Sequence, residues 1–201
     1  MGVSYKLSPA GGAKAESKRE RLLNAATRCI AREGMAKSSM EAIAAEAGVA
    51  RITVYREFGS RKALIEALIA HRANIFNANF AAAAGPFPDI AAALEAFLLS
   101  AAKSVRTAAV TAEFLRGPMV FTKPGSALHE ATSALWRPWL ERARNEGHIR
   151  KNTSFADAVE WILIVQHTLC RLAIETEEPE EHLKAMIRSF IAPAFQCQRR
   201  R

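Results

Sequence analysis

The chain has 201 residues, half of them apolar, with 28 Lys and Arg against 20 Asp and Glu, enough for a sizeable core and for one small domain beside a larger one. Cys29, Cys170 and Cys197 are few, odd in number and scattered, without a C-x-x-C pair or a secretory leader. That pattern excludes a disulfide framework and implies the cytoplasm. The nearest approach to a membrane span is WILIV at 161–165, far short of the roughly 18 apolar residues required.

Residues 1–15 contain Gly2, Ser4, Ser8, Pro9, Gly11 and Gly12 with Lys6 and Lys14, a composition that cannot pack a core and reads as a basic arm. It is equally consistent with a tail of no function and with a segment that reaches a minor groove. Residues 38–64, SSMEAIAAEAGVARITVYREFGSRKAL, are the most informative stretch. Ser38 and Glu41 have the S-x-x-E spacing of a capping box and predict a helix start; Met40, Ile43, Ala44 and Ala47 recur at helical spacing, and Gly48 ends the helix after about two turns. Val49 plugs the core at the turn. A second short helix follows over 51–57, with Ile52, Val54 and Tyr55 partly inward and Arg51, Thr53 and Arg56 outward. Two helices about a glycine turn form a helix-turn-helix, whose second helix presents its N-terminal side chains to base edges in the major groove. Glycine turns between short helices also occur in ordinary helical proteins, so the charge distribution matters. Residues 1–62 hold 12 Lys and Arg against 6 Asp and Glu, whereas 63–198 hold 13 against 14, with Arg199, Arg200 and Arg201 beyond. The basic end coincides with the motif, as expected where counterion release from phosphates drives affinity.

With these residues in view, the chain resembles the TetR family of bacterial transcriptional regulators over roughly Arg19 to Leu68. RERLLNAATRCIAREG is similar to that family's first helix, SSMEAIAAEAGVARITVY to its helix-turn-helix, and REFGSRKALIEAL to the start of its fourth helix. Three departures stand out. Ala50 replaces the usual serine cap of the recognition helix, Glu57 puts a negative charge close to DNA, and Arg61 stands where lysine is usual, retaining a phosphate-gripping group. The DNA-contact candidates are Arg51, Thr53 and Arg56 for bases or phosphates, Tyr55 and Arg61 for the backbone, and Lys37, Ser38 and Ser39 at the preceding helix start.

After Ser60 a long helix runs from Arg61 to about Ala84 and is broken by GPFP at 85–88. Further helices are predicted from Asp89 to about Val105, from about Ala109 to Leu115, and from Ser126 to Glu146 with a kink at Pro138. Others follow over 154–176, capped by Ser154, and over 180–195 after Pro179. No alternating strand pattern appears, so the class is all-α: an N-terminal three-helix helix-turn-helix DNA-binding domain plus a larger C-terminal helical ligand-binding and dimerisation domain. The expected division is 1–15 arm, 16–62 DNA-binding domain, 63–196 effector-binding and dimerisation domain, and 197–201 basic tail.

Val159 to Ile174 is apolar nearly all round and needs cover on more than one side, from its own domain and from a partner subunit or from one domain alone. The resemblance implies dimerisation through the last two long helices, with Trp161, Val165, Leu169, Leu172, Leu183, Ile187 and Phe190 as interface candidates. It also implies a small effector bound among the aromatic residues, with Phe76, Phe80, Phe97, Phe114, Trp136, Trp139 and Trp161 as pocket candidates. Any one of these aromatics is more often core than pocket lining.

Nothing resembles a phosphate loop, an H-E-x-x-H metal site or a nucleophile elbow, so neither an enzyme nor a cofactor or metal is expected. His167 and Cys170, three apart on one helical face, read as a buried thiol beside a satisfied histidine. The expected partners are a double-stranded, inverted-repeat operator, a small apolar effector of unknown identity and a second copy of the chain, with no membrane. The reading from another class is an effector-independent DNA-bound interaction protein, such as a nucleoid or division factor, on the same fold.

Overall fold

The computed structural model describes residues 16–83, 87–116, 123–147, 149, 153–176, 179–191 and 193. The expected arm at 1–15 and the tail at 197–201 lie outside the described residues. Regular structure among those described is entirely helical: α1 (Lys18–Glu33), α2 (Met40–Glu46), α3 (Arg51–Phe58), α4 (Arg61–Ala83), α5 (Ile90–Val105), α6 (Ala109–Leu115), α7 (Ala127–Asn145), α8 (Phe155–Glu175) and α9 (Glu180–Met186). A π-helical turn over Ile187–Ile191 continues α9 where a single helix was expected.

Helix starts follow local chemistry. Ser17 and Glu20 make a reciprocal capping box at α1, while Asp89, Ser126 and Ser154 cap α5, α7 and α8 by accepting from the amides of Ala92, His129 and Asp157. At α2 the expected cap is displaced by one residue: Ser39, not Ser38, accepts from the Ala42 amide at 3.1 Å. Ser38, itself fully buried, is drawn away because its hydroxyl donates to the Gly34 carbonyl at 2.8 Å. Gly48, with φ of 65°, permits the reversal between α2 and α3.

Two cores organise the chain. The first joins Leu22, Ala26, Cys29 and Ile30 of α1 to Ile43 of α2, Val54 and Phe58 of α3, and Leu64, Ile65 and Leu68 of α4, and it also takes in Val110 of α6. Packing therefore runs across the expected boundary at residue 62, along the first turns of α4. The second core belongs to α5, α7, α8 and α9 and is centred on a ring cluster. Phe97 meets Phe76, Phe80 and Trp136 edge-on at 5.4, 5.2 and 5.2 Å between centroids; Phe87 stacks on Phe80 and meets Trp139 at 5.7 Å. Each such contact is worth about 0.5–1.5 kcal/mol beyond the area it buries.

This packing corrects the expected interface. Val165, Leu169, Leu183 and Ile187 are buried within the chain's own second core and present nothing to a partner. What α8 leaves uncovered is another stripe, with Trp161 43% exposed and Thr168 exposed, flanked by half-buried Ile164 and Leu172; Phe190 on the π-helical turn is 78% exposed.

Candidate nucleic-acid interface and ligand cavity

The helix α3 is anchored by only two buried residues, Val54 and Phe58, which leaves most of its surface outward. Arg51 begins it. Its Nε pairs with Glu41 of α2 at 2.6 Å, its guanidinium lies 4.9 Å from the Tyr55 ring centroid, and one terminal nitrogen donates to the Tyr55 hydroxyl at 3.2 Å. The Glu41 carboxyl is held below its ordinary range, first by its own backbone amide and then by the Ser39 hydroxyl, with Arg51 adding to both. The first arginine of α3 is thus held in one orientation by its neighbours.

Ile52 was expected to turn partly inward, yet it is 56% exposed. It stands two residues, about 200° of helical rotation, from inward Val54. An isoleucine open to solvent beside Arg51 is a candidate contact that the sequence reading missed; counting rotation from Val54 and Phe58 would have found it. Thr53 and Tyr55 are half-buried, and Arg56 is exposed without an ion-pair partner among the described residues, as is Lys37. Ser39 serves as the α2 cap. Ser38 is corrected as a contact candidate, since it is fully buried with its hydroxyl engaged. Ala50 makes no side-chain cap bond; the Thr53 amide donates to the Ala50 carbonyl at 2.8 Å, and the Arg51 and Ile52 amides have no capping side chain.

Two of the noted departures have structural uses. Glu57 pairs with Arg19 of α1 at 2.9 Å, and Arg19 also lies over the Phe58 ring, so the negative charge fastens α3 to α1. Arg61 turns back from the start of α4 and donates to the carbonyls of Ser38 and Met35. Its guanidinium is engaged in holding the entrance of α2. Arg28 and Arg32 of α1 both grip Glu46 of α2, at 2.8 and 2.7 Å, and these bonds lower the pKa of the Glu46 carboxyl.

The second site is a cavity of about 460 Å³ between α4, α5, α6, α7 and α8. Of the expected aromatics only Phe76 and Phe114 line it. Phe80, Phe97, Trp136 and Trp139 are corrected to core packing, because large rings bury most surface against one another, and Trp161 faces outward from α8. The space remains where small residues such as Ala73, Ala101 and Ala108 meet. Its lining is less apolar than expected, with Asn77, Thr111, Thr132, Gln166 and His167 among its polar members.

His167 is not the satisfied histidine expected. Its Nε2 is buried without a hydrogen-bond partner among the described residues, and its pKa is lowered by burial and by Arg171. The Cys170 thiol, also on the wall, is pushed up to about 12 by burial and stays protonated. Phe114 has a double position: it lines the cavity and packs against the core of the helix-turn-helix.

Residues 22–68, from α1 into α4, match the family model described as bacterial regulatory proteins, tetR family. Over this stretch the chain is similar to the tetR family of bacterial regulators. The TetR-type fold extends over the rest of the chain in solved structures. The fatty acid degradation regulator FadR from Bacillus halodurans is 17% identical, with 94% of this chain and 100% of that one covered at a TM-score of 0.60. RolR in complex with resorcinol is 16% identical, with 85% of each chain covered at a TM-score of 0.65. FadR from Bacillus subtilis in complex with stearoyl-CoA is 16% identical, covering 86% of this chain and 95% of that one at a TM-score of 0.58. No functionally curated protein matches the chain in sequence. Among the described residues no helix is long and apolar enough to cross a membrane.

Proposed function

We propose that the chain is a homodimeric, TetR-type repressor that leaves an inverted-repeat operator when a small molecule with an apolar body fills the cavity between α4 and α8. The observation that carries this reading is the position of α6. Val110 lies in the core of the DNA-binding domain and Phe114 packs against it, while Phe114, Thr111 and Leu115 form part of the cavity wall. A ligand that displaces α6 or α4 therefore moves the platform on which α3 stands. That RolR and one FadR were solved with resorcinol and stearoyl-CoA supports a ligand-binding role for this type of cavity.

On DNA, Arg51, Ile52 and Arg56 of α3 face the major groove, and Lys37 with the uncapped α3 amides engages phosphate. Arginine offers a bidentate match to guanine and a branched apolar side chain suits the thymine methyl. Dimerisation uses the uncovered stripe of Trp161, Ile164, Thr168 and Leu172 with Phe190, and a two-fold axis then sets the half-sites about one helical turn apart or a little more. The effector-independent interaction protein is disfavoured by the cavity, since a protein without a ligand has no use for so large an unfilled space.

The test is selection of bound duplexes from a random pool, followed by a screen for compounds that reverse binding. An inverted repeat whose occupancy falls with a compound, and no longer falls after Ala73→Phe fills the cavity, is the expected outcome. A direct repeat or a single site, or release that survives the filled cavity, overturns the proposal.

A further inference from the structure

The charges around the cavity restrict the chemistry of its occupant. Among the described residues no Asp, Glu or Lys lines the cavity, and Arg72 of α4 is the single formally charged group there. Arg72 has no hydrogen bond or ion pair among the described residues, whereas Arg19, Arg28, Arg32, Arg51 and Arg61 are each tied to a carboxylate or a carbonyl. The remaining ionisable members add no charge: burial keeps the Cys170 thiol protonated and holds His167 towards its neutral form. A half-enclosed space with a net single positive charge repels organic cations and favours an anion, because a charge in a water-poor site interacts more strongly than in bulk water.

His167 supplies the second restriction. Its ring lines the wall, while its Nε2 is closed off from the cavity and lacks a partner among the described residues, so a turn of the ring towards an occupant's polar atom pairs it and removes the cost of leaving it unpaired. The rest of the wall, from Phe76 through Val105, Phe114 and Leu163, is apolar and suits a ring or short chain.

We infer that the occupant is a monoanionic organic acid, with an apolar body against Phe76 and Phe114, an acidic group on Arg72 and a hydrogen-bonding atom on His167. This rests on the reading of the cavity as the effector site. Its volume of about 460 Å³ lies within the range of small-molecule sites and admits one such molecule.

The test uses three probes of one shape and different charge, 4-butylbenzoate, 4-butylbenzyl alcohol and 4-butylbenzylammonium, titrated into the full chain by calorimetry and into the chain on its operator by fluorescence anisotropy. The benzoate is expected to bind at least about tenfold more tightly than the alcohol, and the ammonium not at all, since a hydrogen bond to a charged group exceeds a neutral one. Arg72→Gln is expected to reduce benzoate affinity about tenfold and leave the alcohol unchanged, and His167→Phe is expected to weaken both while Arg72 keeps the preference for the acid. Circular dichroism confirms that each variant folds, and Arg72→Lys, which retains the charge, rescues the preference. If the alcohol or the ammonium binds best and releases the operator, the inference fails while the effector reading stands. If none of the three binds or shifts operator affinity, both are overturned.

Discussion

Arg51 and Glu41 join the two helices of the helix-turn-helix through a 2.6 Å ion pair, and the same guanidinium rests on the Tyr55 ring. An exposed pair of this kind contributes little to stability. Its effect is orientational, because a guanidinium held at one nitrogen has its remaining donors directed along a fixed line. Arg51→Ala is expected to cost about 1–3 kcal/mol of operator binding. Glu41→Gln should leave folding intact but raise affinity for scrambled duplex, so that the ratio of operator to scrambled binding falls. Anisotropy titrations on both duplexes at one salt concentration measure this, and an unchanged ratio counts against a positioning role.

Ile52 is expected to read a thymine methyl. Ile52→Ala should lose about 1–2 kcal/mol on the operator, near the value of one or two buried methylenes. Replacing thymine by uracil at the contacted step removes the same methyl, so the wild type should weaken on that duplex and the variant should not. Equal losses for both proteins would place Ile52 away from the base.

The uncovered stripe of α8 and the buried one predict opposite phenotypes. Trp161→Glu with Phe190→Glu should yield a folded monomer in sedimentation that no longer protects an inverted repeat. Leu183→Ala, in the chain's own core, should instead lower stability by about 2–5 kcal/mol. A dimer that survives the double charge substitution excludes this surface.

Acid should destabilise the chain through two histidines. Burial lowers the pKa of His71 and of His167 below the ordinary value of 6.5. The unfolded chain therefore takes up protons first as pH falls, so the stability present above about pH 6.5 declines below it, towards the lowered folded values. Melting curves between about pH 7.5 and pH 5 should show this decline, and His71→Gln combined with His167→Gln should flatten it.

Phe114 should act as a coupling residue. Phe114→Leu is expected to leave operator affinity near that of the wild type while reducing the loss caused by a bound ligand, a loss that commonly amounts to 1–3 kcal/mol. Operator titrations with and without saturating ligand give the difference, and a full-sized effect in the variant would assign the coupling to α4 alone.

Much of this was legible because it is local. Caps, glycines and apolar periodicity located α5 to α8 to within a residue or two, and the AGV turn with Tyr55 and Phe58 identified the DNA-binding domain. What was not legible depends on competition in three dimensions. Ser38 and Ser39 are both competent caps, and only the turn at Gly34 decides which hydroxyl is free. Aromatic abundance pointed to a pocket, but Phe80, Phe97, Trp136 and Trp139 satisfy one another, and the space is left beside Ala73, Ala101 and Ala108. On α8 all faces are rich in apolar residues, so periodicity could not separate buried Val165 and Leu169 from open Trp161.

Arg61 sits at the first residue of α4 and holds the carbonyls of Met35 and Ser38 at the mouth of α2, while Glu57 and Arg19 hold the far end of α3 to α1. The helix-turn-helix is therefore braced on both sides, and such bracing favours movement with α4 as one piece. In the proposed dimer, a ligand that tilts α4 would alter the distance between two intact reading heads and leave each head's grasp of its own half-site unchanged. Operators with different bases but equal spacing should then lose affinity by one common factor, and an operator with the spacer lengthened or shortened by one base pair should retain binding when ligand is present. Regulation in such a molecule is a property of the ruler, not of the alphabet.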